Sequence, residues 1–99
     1  MSRVAIVILN WNGSDMLQKF LPTLVEYTAI NGVEIIVADN NSTDNSMQMM
    51  QERFPQIRRI VLDDNYGFAG GYNRALQQVK AEYYLLLNSD IEVTEGWLE

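Results

Sequence analysis

The sequence predicts an α/β fold in which helices cover both faces of a parallel sheet, giving three layers. Four apolar runs rich in β-branched or aromatic residues occupy positions 4–9, 33–38, 57–62 and 83–87, each about strand length. Between them lie segments with helical spacing: Met16, Leu17, Phe20, Leu21, Leu24 and Val25, then Met47, Met50 and Phe54, then Ala75, Leu76 and Val79. The order is therefore β-α-β-α-β-α-β. Strands and helices alternating at these lengths favour parallel strands joined by right-handed crossovers, and near-continuous apolar strands imply burial on both sheet faces.

The first run, VAIVIL, passes through Asn10, Trp11, Asn12 and Gly13 into a helical segment whose expected N-cap is Ser14 or Asp15. Pro22 falls inside that segment. It lacks an N–H and its ring crowds the preceding turn, which predicts a kink or two short helices. The second run, VEIIVA, leads into ADNNSTDNS, where Ser42, Thr43 and Asp44 are expected to open the second helix. The third, IRRIVL, is followed by DDNYGFAGGYNRAL, with glycines at 67, 70 and 71 around a strand-to-helix turn. The fourth, YYLLL, reads as buried strand and runs directly into Asn88, Ser89 and Asp90. Thr94 to Leu98 reads as the opening of a further helix, which suggests a domain cut short after about its fourth strand.

Composition narrows the chemistry. With 99 residues, 47% hydrophobic and 20% charged, the chain fits one folded domain. It has neither cysteine nor histidine, so a disulfide framework, a thiolate site and an imidazole base are all excluded in these residues. Carboxylates, amides, hydroxyls and backbone groups are left to act, and the lack of cysteine fits a reducing cytoplasm. A net charge of -6 with scattered basic residues lacks the footprint of a nucleic-acid binder. VAIVIL is too short to span a bilayer, and no signal-peptide pattern is present.

The polar residues are placed unevenly. Of the 15 Asn and Asp residues, 12 fall in the four stretches that follow the strands, at 10–13, 39–45, 63–67 and 88–90. Turn chemistry alone enriches Asn and Asp, but the helix-to-strand turns on the other side hold only Asn31. In an open parallel sheet ligands bind beyond the carboxyl ends of the strands, so this edge is the expected binding edge.

Each stretch has a plain reading and a functional one. Asp39, at the tip of a buried strand, either caps the next turn or accepts the imide N–H of uracil or thymine, a donor that cytosine lacks. Asp44 reads as a favourable charge at a helix N-terminus rather than a ligand. The glycines of the third stretch give either bare loop geometry or close approach of backbone to a ligand. Neither a P-loop nor a G-x-G-x-x-G dinucleotide fingerprint is present. A carboxylate at position 90 suits a hard divalent cation bridging two phosphates, although N-x-D by spacing alone is common in turns.

Taken together, VAIVILNWNG, IIVADNNSTDNS, NYGFAGGYNRAL and LLLNSDIEV, in that order over nearly the whole chain, resemble the family 2 glycosyltransferases. Their fold is the Rossmann-like nucleotide-sugar fold called GT-A. The third and fourth segments look most like the rhamnosyltransferase-like branch. The resemblance implies a parallel sheet of order 3-2-1-4, with Asn10, Trp11 and Asn12 lining the base and Asp39 accepting from its imide. It implies that Asn65, Gly67, Gly71 and Asn73 border the nucleotide, and that Asn88 and Asp90 take the first and last places of a D-x-D motif. Asp90 would then hold Mg2+ or Mn2+ on the diphosphate, while Asn88 departs from the usual acid.

The implied reaction is inverting transfer of a hexosyl group from a UDP- or dTDP-sugar to a hydroxyl of a saccharide or lipid-linked acceptor. The acceptor half and catalytic base of the family lie C-terminal to these motifs, so the expected catalytic residues are none in this chain, and the 99 residues alone are expected to be inactive. A parent enzyme in the cytoplasm, associated with the inner face of the membrane, and self-association of this piece are further expectations. A non-catalytic nucleotide-binding or interaction module is the alternative. A nucleotidyltransferase is a weaker one, because Asn10 to Gly13 does not supply the expected G-x-G-x-R.

Overall fold

A computed structural model describes residues 2–28 and 31–88. The elements are β1 (Ser2–Asn10), α1 (Ser14–Tyr27), β2 (Val33–Asp39), α2 (Ser46–Arg53), β3 (Arg58–Val61), α3 (Gly67–Leu76) and β4 (Ala81–Asn88). The strands form one sheet of order β3-β2-β1-β4, parallel throughout. Both the predicted class and the strand order implied by the resemblance are found.

Alternate residues of the two central strands feed two cores, as the period of a strand requires. Ile6, Ile8 and Val37 pack with Leu17, Leu21 and Leu24 of α1 and Met49 and Met50 of α2. Ala5, Val7, Ile36 and Ala38 face the other way onto Tyr72 and Ala75 of α3 and onto Val79 just beyond it. Three layers result. The two arginines of IRRIVL serve this packing: Arg59 donates to the carbonyls of Met50 and Phe54 at the end of α2, and Arg58 donates to the carbonyl of Gln78 after α3. Helix C-termini carry unsatisfied carbonyls and partial negative charge, so both cations sit where they stabilise.

Several local expectations are corrected. α1 is one helix of 14 residues with Pro22 inside it, not two short helices. Pro22 lies on the exposed side, where the Gln18 carbonyl it strands can be hydrated, while Leu17, Leu21 and Leu24 are buried. An interior proline costs about 3 kcal/mol, and three buried leucines at about 1.5–3 kcal/mol each outweigh it. Neither Ser14 nor Asp15 is the N-cap. Gly13 takes that place, and Ser14 is the first helical residue. α2 opens at Ser46 behind Asn45, later than Ser42 to Asp44, whose polar groups are engaged with neighbouring turns.

β4 also departs from the buried strand that YYLLL suggested. Among the described residues it is hydrogen-bonded to β1 alone, and Tyr83, Tyr84 and Leu86 are exposed while Leu87 is buried. α3 packs mainly on β1 and β2, and Ala81 at the start of β4 joins that core. The helix expected near Thr94 lies outside the described residues.

Candidate functional site

The sheet register gathers the polar strand ends. Asn10 is level with Asp39 across β1 and β2, and Leu9 is level with Asn88 across β1 and β4. The chain leaves β1 toward β2 in one direction and reaches β4 on the opposite side, so the topological switch point falls between β1 and β4. Each of the three described strand-to-helix turns has a residue in the left-handed region: Asn12 at φ 52°, Asn41 at φ 64° and Gly67 at φ 74°. Asn and Gly are the residues that accept this conformation at least cost.

Ser42 is the hub of the first two turns. Its hydroxyl donates to Asp39 Oδ1 at 2.6 Å and accepts from Asn10 Nδ2 at 3.3 Å and from the Asn12 N–H at 2.9 Å. One donor and two acceptor positions are all a hydroxyl has. Asn10, fully buried, also donates to Asp39 Oδ1 at 2.9 Å and accepts the Gly13 N–H at 3.1 Å. Asn12 Oδ1 accepts the N–H groups of Thr43 and Asp44 at 2.7 and 3.1 Å, and its Nδ2 donates to Thr43 Oγ1 at 3.1 Å.

Asp39 is only 1% exposed. Oδ2 accepts the Ser42 N–H at 2.9 Å and Oδ1 takes the two bonds already given, so three of about four acceptor positions on the carboxylate are used. The turn-capping role is thus realised, and among the described residues one acceptor position remains on Oδ2. Asp44 sits between two helix starts: Oδ2 accepts the Ser14 N–H at 3.2 Å, and Oδ1 accepts the Ser46 N–H at 2.9 Å and the Ser46 hydroxyl. Burial pushes its carboxyl up, but the bonds from Ser46 and Ser14 prevail and hold it below the usual range. The helix-charge reading of Asp44 fits this placement.

The remaining site residues separate by environment. Trp11 stands out from the first turn, 54% exposed. Asn65 Oδ1 accepts the Gly67 N–H at 2.9 Å. A Cβ on Gly71 would come within 2.9 Å of Leu9 Cδ1 and 3.0 Å of Asn40 Nδ2, so this glycine lets α3 seat against β1. Asn73 is exposed on α3. The side chain of Asn88 and the whole of Asp90 lie outside the described residues, so the candidate cation site does too. Among the described residues no group of three potential metal-ligating side chains occurs.

Two residues with structural roles at this edge, Asn40 and Tyr72, were not singled out from the sequence, and Ser42 was read only as part of a helix opening. Asn40, 3% exposed, bonds to the third turn. The Ser42 hydroxyl was signalled by the D-x-x-S spacing of a side-chain-closed turn. Tyr72 donates its hydroxyl to the Leu87 carbonyl at 2.5 Å, tying α3 to the end of β4, and burial pushes that hydroxyl's pKa up. Nothing in the local pattern distinguishes Tyr72 from an ordinary core aromatic.

A parallel three-layer sheet with a polar carboxyl edge places the chain among the open α/β folds whose ligands bind at that edge, and comparison with known proteins makes the class specific. Residues 5–99 match the family described as Glycosyl transferase family 2, and the chain belongs to that family. It is 33% identical over 92 residues to UDP-Glc:alpha-D-GlcNAc-diphosphoundecaprenol beta-1,3-glucosyltransferase WfaP of Escherichia coli, covering 91% of this chain and 36% of that protein. It is 30% identical over 74 residues to N-acetylglucosaminyl-diphospho-decaprenol L-rhamnosyltransferase of Mycobacterium tuberculosis, covering 75% of this chain and 24% of that protein. Rhamnosyltransferases are thus one of several kinds of relative.

Among solved structures, the mannosyltransferase PcManGT of Pyrobaculum calidifontis, in complex with GDP-Man and Mn2+, superposes with a TM-score of 0.78 at 21% identity. The overlap covers 91% of this chain and 28% of that one, and it shows the shared GT-A fold. The chain spans 13% and 36% of the length of the first two curated relatives it matches. Among the described residues no helix is long and apolar enough to cross a membrane.

Proposed function

We propose that these residues form the donor-nucleotide part of an inverting glycosyltransferase that moves a hexosyl group from a UDP- or dTDP-sugar to a hydroxyl of a saccharide or lipid-linked acceptor. The observation that carries this is the buried Asp39 at the carboxyl edge, held by Asn10 and Ser42 with an acceptor position to spare. A fixed carboxylate takes an imide N–H from uracil or thymine and faces no donor on cytosine at that ring position. Trp11 offers a flat exposed surface for the base, and Asn65, Gly67, Gly71 and Asn73 border the nucleotide. Asp90 would hold Mg2+ or Mn2+, which supplies charge neutralisation for the departing diphosphate, with Asn88 beside it at the nucleotide. The activities of the relatives, including a UDP-glucose-dependent transferase acting on a diphosphoundecaprenol-linked sugar, agree with this donor and acceptor class and with polysaccharide and cell-wall biosynthesis. The third and fourth segments support the rhamnosyltransferase-like branch.

Calorimetric titration with UDP, dTDP and CDP tests the base reading. UDP or dTDP is expected to bind about tenfold more tightly than CDP, the worth of one hydrogen bond to a charged group. Asp39→Ala is expected to weaken UDP binding more than Asp44→Ala; equal losses would overturn the assignment. The 99 residues alone are expected to transfer no sugar, and transfer above a metal-free control would refute this. Self-association is supported by Tyr83, Tyr84 and Leu86, exposed on a strand that among the described residues pairs only with β1, and a concentration-independent monomer in sedimentation would refute it.

A further inference from the structure

We propose that Asn40 is a positioning residue for the nucleotide pocket, clasping the glycine turn at residues 63–67 to the Asp39 turn; this role rests on the nucleotide reading above. Its carboxamide is spent in one direction. Nδ2 donates to Asn65 Oδ1 at 3.1 Å and to the Gly67 carbonyl at 3.0 Å, and Oδ1 accepts the Tyr66 N–H at 3.0 Å. The backbone on either side is pinned as well. The Asn40 N–H donates to the Asn10 carbonyl at 2.8 Å, and the Leu62 N–H donates to the Asp39 carbonyl at 2.9 Å. Asn41 then turns away at φ 64°.

The second turn therefore holds its neighbours by two separate clasps. Toward the first turn the side chains are Asp39, Ser42 and Thr43 meeting Asn10 and Asn12. Toward the third turn it is Asn40 alone, in contact reach of Gly71, where any Cβ would stand 3.0 Å from Nδ2. No side chain belongs to both clasps, so one can be opened without the other. The base-reading carboxylate depends on the first, and the backbone expected along the nucleotide depends on the second.

Only an amide fits the second clasp. A carboxylate in place of Asn40 still accepts the Tyr66 N–H but sets an oxygen against two acceptors, Asn65 Oδ1 and the Gly67 carbonyl, and an alanine keeps none of the three bonds. Backbone hydrogen exchange and UDP calorimetry on Asn40→Ala and Asn40→Asp read these states apart. In Asn40→Ala the Tyr66 amide is expected to exchange about tenfold faster, while the Asn12 and Gly13 amides stay within about twofold of the parent chain. UDP affinity is expected to fall about fivefold or more in both variants, with the Tyr66 amide better protected in Asn40→Asp than in Asn40→Ala.

Affinity within about twofold of the parent in Asn40→Ala, with the Tyr66 amide deprotected, would overturn the positioning role while leaving the nucleotide reading intact. Loss of protection at Asn12 and Gly13 in both variants would also overturn it, because Asn40 would then support the whole fold. A parent chain that binds neither UDP nor dTDP would overturn the nucleotide reading and the positioning role together.

Discussion

Ser42→Ala removes the hub of the first two turns, and its cost can be worked bond by bond. The hydroxyl makes three hydrogen bonds, to Asp39 Oδ1, Asn10 Nδ2 and the Asn12 N–H. Asn12 is exposed, so its freed N–H recovers a bond to water and that term nearly vanishes. The other two involve buried partners, each of which keeps a second bond, Asn10 Nδ2 to Asp39 Oδ1. Two bonds at about 0.5–1.5 kcal/mol each, one of them to a charged group, put the loss near 2 kcal/mol. For a domain of this size that lowers the melting temperature by about 8–16 °C. Urea unfolding followed by circular dichroism gives the number directly, with Thr43→Ala as the control, since Thr43 bonds to Asn12 at the surface. A loss under about 0.5 kcal/mol, or an equal loss in the control, would refute the hub assignment.

Gly71→Ala is expected to lose about 1 kcal/mol by thermal or urea unfolding, because overpacking against Leu9 and Asn40, at about 1–3 kcal/mol, exceeds the helix-propensity gain of about 1 kcal/mol. A more stable variant would show that α3 has room to shift. Asp44 sets an acid dependence: its folded pKa lies below the model-peptide value of 3.8, so its contribution is present above that pH and is lost as pH falls through the folded pKa. Unfolding curves between pH 2 and 6 should therefore drop more steeply for the parent chain than for Asp44→Asn, and parallel curves would contradict the bonding seen at the two helix starts.

How far the sequence reaches differs from element to element. The central strands announced themselves because burial on both faces leaves no polar residue between 4 and 9, and the positions of the four polar stretches located the candidate edge. What the pattern does not encode is the direction of each amide and hydroxyl. Asn10 and Asn12 looked like residues that face a ligand, yet their side chains join turns that lie about 30 positions apart, a tertiary fact with no local signature. Pro22 misled for a related reason: a local rule about helix breaking was outweighed by leucines docking on a sheet that the local window does not contain. YYLLL carries the composition of a central strand but is outermost among the described strands, and only strand order, which composition does not state, separates the two.

The two borders of the sheet are unequal, and this gives the molecule a direction. β3 is four residues long, and its arginines bond to helix-end carbonyls at both sides of the layer. β4 is eight residues long, and Tyr83, Tyr84 and Leu86 lie open along it. A further strand would gain little register on the first border and a full run of backbone partners on the second. Of the two borders of the described sheet, the one that carries Asn88 offers the longer run of backbone partners. A strand added there in parallel would continue the carboxyl edge beyond Asn88, so widening the sheet and lengthening that edge would be one structural event.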